Sequence, residues 1–234
     1  MKLLELLSIC LFPRRCKLCG DMVEFDKEYC DRCNGKVEFI GEPVCLFCGN
    51  SKADCTCKKK KHFYKSVIAP FYYENRVKHA VNNFKFFKYT CMSNEMAESM
   101  KLCFEEHYSK ISFDCVTDVP LHRKSLRKRG FNQSQLLAKD LALKLNLEYK
   151  SILKKVVDNN VQHKESAKNR KMNVYGAYDL KKGVNVDGKT ILLVDDIKTT
   201  GATLNECAKM LLLGGAEEVY AITYSVTKSK KEKR

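Results

Sequence analysis

The chain has 234 residues, 44% hydrophobic and 30% charged, with eleven glycines and four prolines. That mixture excludes a disordered, collagen-like or linker protein, and the length suits one large domain or two small ones. Basic residues outnumber acidic ones 43 to 28, a net charge of +15, so an anionic partner is expected.

The chain opens Met1-Lys2-Leu3-Leu4, but Glu5 interrupts the apolar stretch and no small-x-small cleavage site follows. This reads as an amphipathic N-terminal helix rather than a signal peptide. No uncharged apolar run approaches the roughly 20 residues that span a bilayer, so a cytoplasmic protein without membrane insertion is expected. Eight of the thirteen cysteines then fall within residues 16–57 as four pairs: Cys16/Cys19, Cys30/Cys33, Cys45/Cys48 and Cys55/Cys57. Two thiols on a tight turn grip one tetrahedral zinc, and a second pair completes the shell. Gly20 and Gly49 follow the first and third pairs, where the knuckle turn favours a positive φ. Sequential pairing assigns one zinc to Cys16, Cys19, Cys30 and Cys33, and another to Cys45, Cys48, Cys55 and Cys57. Four thiolates leave no open position, so both sites are expected to be structural. Cys55-x-Cys57 is more closely spaced than usual, and His62 is a spare candidate ligand that otherwise reads as a surface histidine. The basic run Lys58 to Lys61 marks a boundary. The expected division is a ribbon domain over 1–61, an α/β domain over 62–227 and a basic tail over 228–234.

Past the boundary, Ser66 to Tyr73 is an apolar, aromatic run expected as a strand. Helices are expected over 76–87 and 92–108, then a buried strand from Phe113 to Val119 that ends at Pro120. A polar, basic loop follows. Leu136, Leu137, Leu141 and Leu145 fall at helical spacing within 132–145. A strand near 147–153, a polar stretch over 156–172 and a short strand or hairpin to Leu180 come next. Thr190 to Val194 is a fully apolar strand that Asp195 and Asp196 are expected to end. A helix over 202–213 and a strand over 218–226 close the pattern. Strands alternating with helices predict a parallel α/β sheet covered on both faces. Ligands of such sheets sit at the carboxyl ends of the strands, which selects the loops 120–131, 156–172 and 195–203. The positive charge gathers at the same place, because residues 120–173 hold fourteen basic and four acidic residues.

The most informative segment is Ile191-Leu-Leu-Val-Asp-Asp-Ile-Lys-Thr-Thr-Gly-Ala-Thr-Leu204. Backbone amides of the turn, with the hydroxyls of Thr199, Thr200 and Thr203, suit a phosphate dianion at a helix N-terminus. Gly201 permits close backbone approach. The adjacent carboxylates of Asp195 and Asp196 suit two vicinal sugar hydroxyls through charge-assisted hydrogen bonds. A sugar phosphate fits both halves.

This segment resembles the PRPP-binding signature of type I phosphoribosyltransferases. Nearly the whole chain resembles the ComF/GntX family. The block from Val119 to Gln133 (Val-Pro-Leu-His-Arg-Lys-Ser-Leu-Arg-Lys-Arg-Gly-Phe-Asn-Gln) is similar to a characteristic block of that family, and Phe12-Pro13 precedes the first cysteine as it does there. The resemblance implies a type I phosphoribosyltransferase fold preceded by a double zinc ribbon. It implies that Asp195 and Asp196 contact the ribose hydroxyls of PRPP, directly or through Mg²⁺, and that Thr199, Thr200, Gly201, Ala202 and Thr203 bind the 5′-phosphate. His122, Arg123, Lys124, Arg127, Lys128 and Arg129 would face pyrophosphate or nucleic acid, a role to which guanidinium forks are suited. Gln162, Arg170 and Asn173 match the family's hood loop. Glu165 and Lys198 depart from the family pattern; Lys198 adds positive charge beside the phosphate turn.

Three functions follow. The first is a PRPP-binding ComF-type protein that handles incoming single-stranded DNA in natural transformation, with DNA-uptake proteins as partners. The second is an active phosphoribosyltransferase acting on an amine or nucleobase. The third is a zinc-ribbon nucleic-acid scaffold with an inactive pocket. No catalytic residue is singled out. Phe131 is offered as a ring that stacks on an unpaired base; the rival reading is that it packs into the core and the arginines serve PRPP only.

Overall fold

A computed structural model describes residues 14–24, 26–35, 37, 39–57, 61–86, 90–157 and 176–229. The expected N-terminal helix, Lys58 to Lys60, the hood-loop residues Gln162, Arg170 and Asn173, and the tail beyond Ser229 lie outside them. In chain order the elements are β1 (Val67–Ile68), β2 (Phe71–Tyr72), α1 (Asn75–Phe86), α2 (Met92–Tyr108), β3 (Cys115–Asp118), α3 (Arg123–Arg129) and α4 (Gln133–Leu145). They continue with β4 (Leu153–Lys155), β5 (Tyr178–Leu180), β6 (Thr190–Lys198), α5 (Ala202–Leu213) and β7 (Glu218–Val226). The main sheet runs β1-β7-β6-β3, all parallel, with β2 pairing further along β7. β4 and β5 form a separate antiparallel pair.

The apolar run of β6 is explained by burial on both sides. Leu192 and Val194 join Phe84 of α1, Met96 and Met100 of α2, and Leu137 and Leu141 of α4. Ile191 and Leu193 join Leu204, Cys207 and Leu211 of α5, with Leu153 and Tyr178 of the small sheet. Alternate side chains feed two cores, so no position of the run can be polar until the strand clears them.

Four boundaries differ from expectation. The strand over 66–73 is two short strands, because Pro70 has no N–H for the ladder; its carbonyl instead accepts from Ile40 N at 3.2 Å. The strand near 147–153 begins its ladder only at Leu153, and Tyr149 makes a single bridge to Val116. β6 does not stop at the carboxylates but pairs with β7 as far as Lys198↔Val226. The basic loop contains α3, whose N-terminus His122 Nδ1 caps by accepting from Lys124 N at 3.4 Å. Gly130, at φ +89°, closes that helix.

The ribbons dock at different places. Arg76 of α1 donates to Asp21 at 3.0 Å and to the Cys33 sulfur at 3.4 Å, and Asn83 donates to the Cys19 carbonyl at 2.8 Å. The second ribbon rests on the sheet: Leu46 O accepts from Val67 N at 2.8 Å, and Ser229 N donates to Asn50 at 2.9 Å.

Candidate functional site

The eight cysteines gather as expected. The sulfurs of Cys16, Cys19, Cys30 and Cys33, and those of Cys45, Cys48, Cys55 and Cys57, lie within 4.8 Å of one another in each set. A Zn–S bond of about 2.3 Å places tetrahedral sulfurs about 3.8 Å apart. Cys19 and Cys30 are 3.7 Å apart, and the pairs Cys45–Cys57 and Cys48–Cys55 are 3.6 Å apart. The one short separation is Cys55–Cys57 at 3.0 Å, the closely spaced pair, which must open slightly around an ion. A hydrogen bond from the Cys19 thiol and backbone amides of the knuckle hold the Cys16 thiol down at about 4. Burial opposes charge on Cys45, yet the Cys48 amide and neighbouring thiols bring it to about 7. Both donor sets fit structural zinc. His62 belongs to neither cluster; its ring stacks on Tyr64 at 4.7 Å.

The two carboxylates sit at the carboxyl end of β6, 9% and 8% exposed. Ser134, in the first turn of α4, donates to Asp195 Oδ1 at 2.7 Å, and the Asp196 amide donates to the same oxygen at 2.9 Å. Burial and the charge of Asp196 push the Asp195 carboxyl up to about 7, against the Ser134 hydrogen bond and the Lys85 charge. Asp196 Oδ2 lies 2.7 Å from Lys85 Nζ at the end of α1. Next door on β3, Asp118 accepts from Tyr149 at 2.6 Å and from Asn132 at 2.8 Å, and burial raises its pKa. Asn132, Gln133 and Ser134 are all buried. The start of α4 therefore brings polar groups and amides between the ends of β3 and β6, where an anion or polyol is favoured.

The turn after β6 is open above and closed below. Thr199 and Thr200 are exposed, Gly201 is buried, and Ala202 and Thr203 are half-buried. Gly201 has φ +77°, which a side chain would strain, and Thr200 Oγ1 accepts from Ala202 N at 3.3 Å. The structure thus brings Asp195, Asp196 and Thr199 to Thr203 to one strand end.

The basic block divides. Arg123, Lys124, Arg127 and Lys128 are exposed on α3, whereas Arg129 is half-buried. Arg129 donates to Gln133, lies 5.6 Å from the Phe86 ring and feels the charge of Asp196. Phe131 does not present a free ring: it packs on Phe84 at 6.0 Å. Among the described residues near Arg129, Phe86 is exposed, 66% accessible. The sequence reading missed Lys85, Phe86 and Ser134. The polar Asn-Gln-Ser start of α4 was a usable signal for Ser134; nothing local marks Lys85 as a partner of a residue over a hundred positions later. A cavity of about 490 Å³ lies elsewhere, between the first ribbon and α2, lined by Tyr29, Phe39, Leu102 and His107 among others.

A double zinc ribbon domain model matches residues 7–62, and a phosphoribosyl transferase domain model matches residues 132–234. The chain is similar to competence protein F of Haemophilus influenzae, 28% identical over 197 residues, covering 82% of this chain and 81% of that protein. It is similar to DNA utilization protein YhgH of Escherichia coli, 27% identical over 210 residues, covering 87% and 86%. Competence protein ComFC of Bacillus subtilis is 27% identical over 203 residues, covering 81% and 80%. Among solved structures, adenine phosphoribosyltransferase from Saccharomyces cerevisiae aligns over 60% of this chain and 71% of that one, at 16% identity and a TM-score of 0.39. The two matched domain models, in this order, give a double zinc ribbon ahead of a phosphoribosyl transferase domain, and over four-fifths of its length the chain is similar to competence protein F and ComFC.

Proposed function

We propose that this protein binds PRPP and single-stranded DNA, and that it serves DNA uptake in the cytoplasm together with uptake proteins. The observation that carries the reading is the meeting of Asp195 and Asp196 with the Thr199–Thr203 turn at one strand end, beside a helix of exposed cations. Asp195 and Asp196 hold the ribose hydroxyls, and the turn holds the 5′-phosphate. Mg²⁺, if it accompanies PRPP, neutralises pyrophosphate charge. Lys85, which pairs with Asp196, and Arg129 supply cations for the pyrophosphate, and Gln162, Arg170 and Asn173 are kept as the hood-loop residues. We take 1–61 as the ribbon domain, carrying two structural zinc ions, and 62–227 as the phosphoribosyltransferase domain. The names of the relatives, competence proteins and a DNA utilization protein, support a role with DNA, and the exposed cations of α3 suit its phosphates. Phe86, rather than Phe131, is the ring available to stack on a base.

Calorimetric titration tests the reading: PRPP with Mg²⁺ first, then an oligothymidylate, on one preparation. Asp195→Asn with Asp196→Asn should abolish PRPP binding with the fold retained, since each charge-assisted bond is worth about 1.5–3 kcal/mol. A wild-type protein that takes no PRPP rejects the assignment.

A further inference from the structure

Lys198 is the member of the strand–turn signature that phosphate binding leaves without a role. It closes β6 opposite Val226 and is 6% exposed. A lysine is almost never buried so deeply without a counter-charge. Here burial lowers its pKa, and the leading groups whose negative charge would oppose this are the sulfurs of Cys48, Cys57, Cys45 and Cys55, with no carboxylate among them. The second ribbon is close by through the sheet. A Cβ placed on Gly49, in the knuckle, would lie 3.2 Å from Val226 Cγ1, and Val226 is the register partner of Lys198.

The other end of Lys198 reaches the phosphate turn. A Cβ placed on Gly201 would lie 3.1 Å from Lys198 Cε, 3.8 Å from Lys198 Nζ and 3.1 Å from Tyr64 Oη. Tyr64 is 3% exposed, its hydroxyl has no hydrogen-bond partner among the described residues, and the charges of Cys48 and Cys57 reach it too. The floor of the turn is therefore two buried polar groups, an ammonium and an unpartnered hydroxyl, backed by the second cysteine cluster.

We propose that Lys198 is a positioning residue that couples the second zinc site to anion binding at the Thr199–Thr203 turn. With zinc in place, four thiolates and the ion carry a net charge of about −2, which lets a lysine remain charged in the interior. The cation is the nearer group to the turn, since the atoms that a Cβ on Gly201 would meet belong to Lys198 and Tyr64 and none is a sulfur. A phosphate on the turn meets the ammonium first, and the cluster holds the ammonium there. The coupling is reciprocal: zinc strengthens phosphate binding, and phosphate strengthens zinc binding by the same factor, a gain read as slower release of that zinc. The inference rests on the phosphate reading of the turn.

The test uses the full chain, ribose 5-phosphate as probe, and zinc release into a chromogenic chelator. Wild-type protein should bind ribose 5-phosphate, and saturating probe should slow one of two zinc-release phases about fivefold, at the lower end of measured site couplings. Lys198→Met should weaken the probe about tenfold, the effect of removing one charge-assisted contact, and abolish the slowing. Lys198→Arg, which keeps the charge, should restore most of both. If wild type ignores the probe, the phosphate reading of the turn falls. If wild type binds it, but zinc release is unchanged, or Lys198→Met behaves as wild type, the coupling falls and the phosphate reading stands. The wild-type comparison alone decides the case if Lys198→Met does not fold.

Discussion

The two cysteine clusters have the same ligands and nearly the same knuckles, yet they are attached to different things. The first packs Cys16, Leu18, Cys19 and Cys33 into the larger core and is tied there by side chains of α1: Arg76 reaches Asp21 and Cys33, and Asn83 reaches Cys19. The second lies against the sheet itself, beside the strand pair that ends in Lys198 and Val226. A ribbon docked through side chains contributes stability at its own boundary. A ribbon docked on a strand end contributes to the loop that leaves that end. Identical chemistry thus acquires two roles from placement alone.

The comparison breaks most directly at the cysteines. Cys45→Ser with Cys48→Ser should lower PRPP affinity by more than tenfold, whereas Cys16→Ser with Cys19→Ser should lower the melting temperature yet leave affinity near wild type, because structural zinc sites contribute folding energy of about 10 kcal/mol or more to their own module. Calorimetry and thermal melts on both variants check this; equal losses of affinity would show that the ribbons act as one unit.

A gentler change sharpens the first docking. Arg76→Ala removes a partly buried guanidinium from Asp21 and from a cluster sulfur, and hydrogen bonds to charged groups contribute about 1.5–3 kcal/mol. Denaturant unfolding should register that loss, while PRPP binding stays unchanged.

The smallest expected effect separates both ribbons from the nucleic-acid face. If α3 carries that face, Lys124→Ala with Lys128→Ala should reduce the salt slope of oligothymidylate binding by about 1.4, at roughly 0.7 per phosphate contact. PRPP affinity should change little. Unchanged DNA binding across a salt series would move the face to a ribbon.

Much of this was legible because the signals are local. Cys-x-x-Cys spacing, the apolar run of β6 and the Thr-Thr-Gly-Ala-Thr turn each specify a short piece of geometry within a few residues. The pairing of the eight cysteines followed from order along the chain, and the clusters formed accordingly. Boundaries were less legible. Whether β6 ended at Asp195 or ran on to Lys198 depended on a partner strand that begins twenty residues later. Phe131 and Phe86 have similar basic surroundings in sequence, and only packing decided that the first covers Phe84 while the second faces solvent.

The sequence by itself determined which groups the chain carries: two sets of four cysteines, a pair of carboxylates, a Thr-Thr-Gly-Ala-Thr turn and a cluster of cations. Each depends on residue type and short spacing, which the covalent chain imposes. The tertiary structure decided which of these meet. Lys85 reaches Asp196 across more than a hundred residues, Ser134 reaches Asp195, and Lys198 is buried between a ribbon and a turn. Such contacts arise where separately specified elements pack, and the free energy that selects them is burial of the apolar faces around them, which no local spacing encodes.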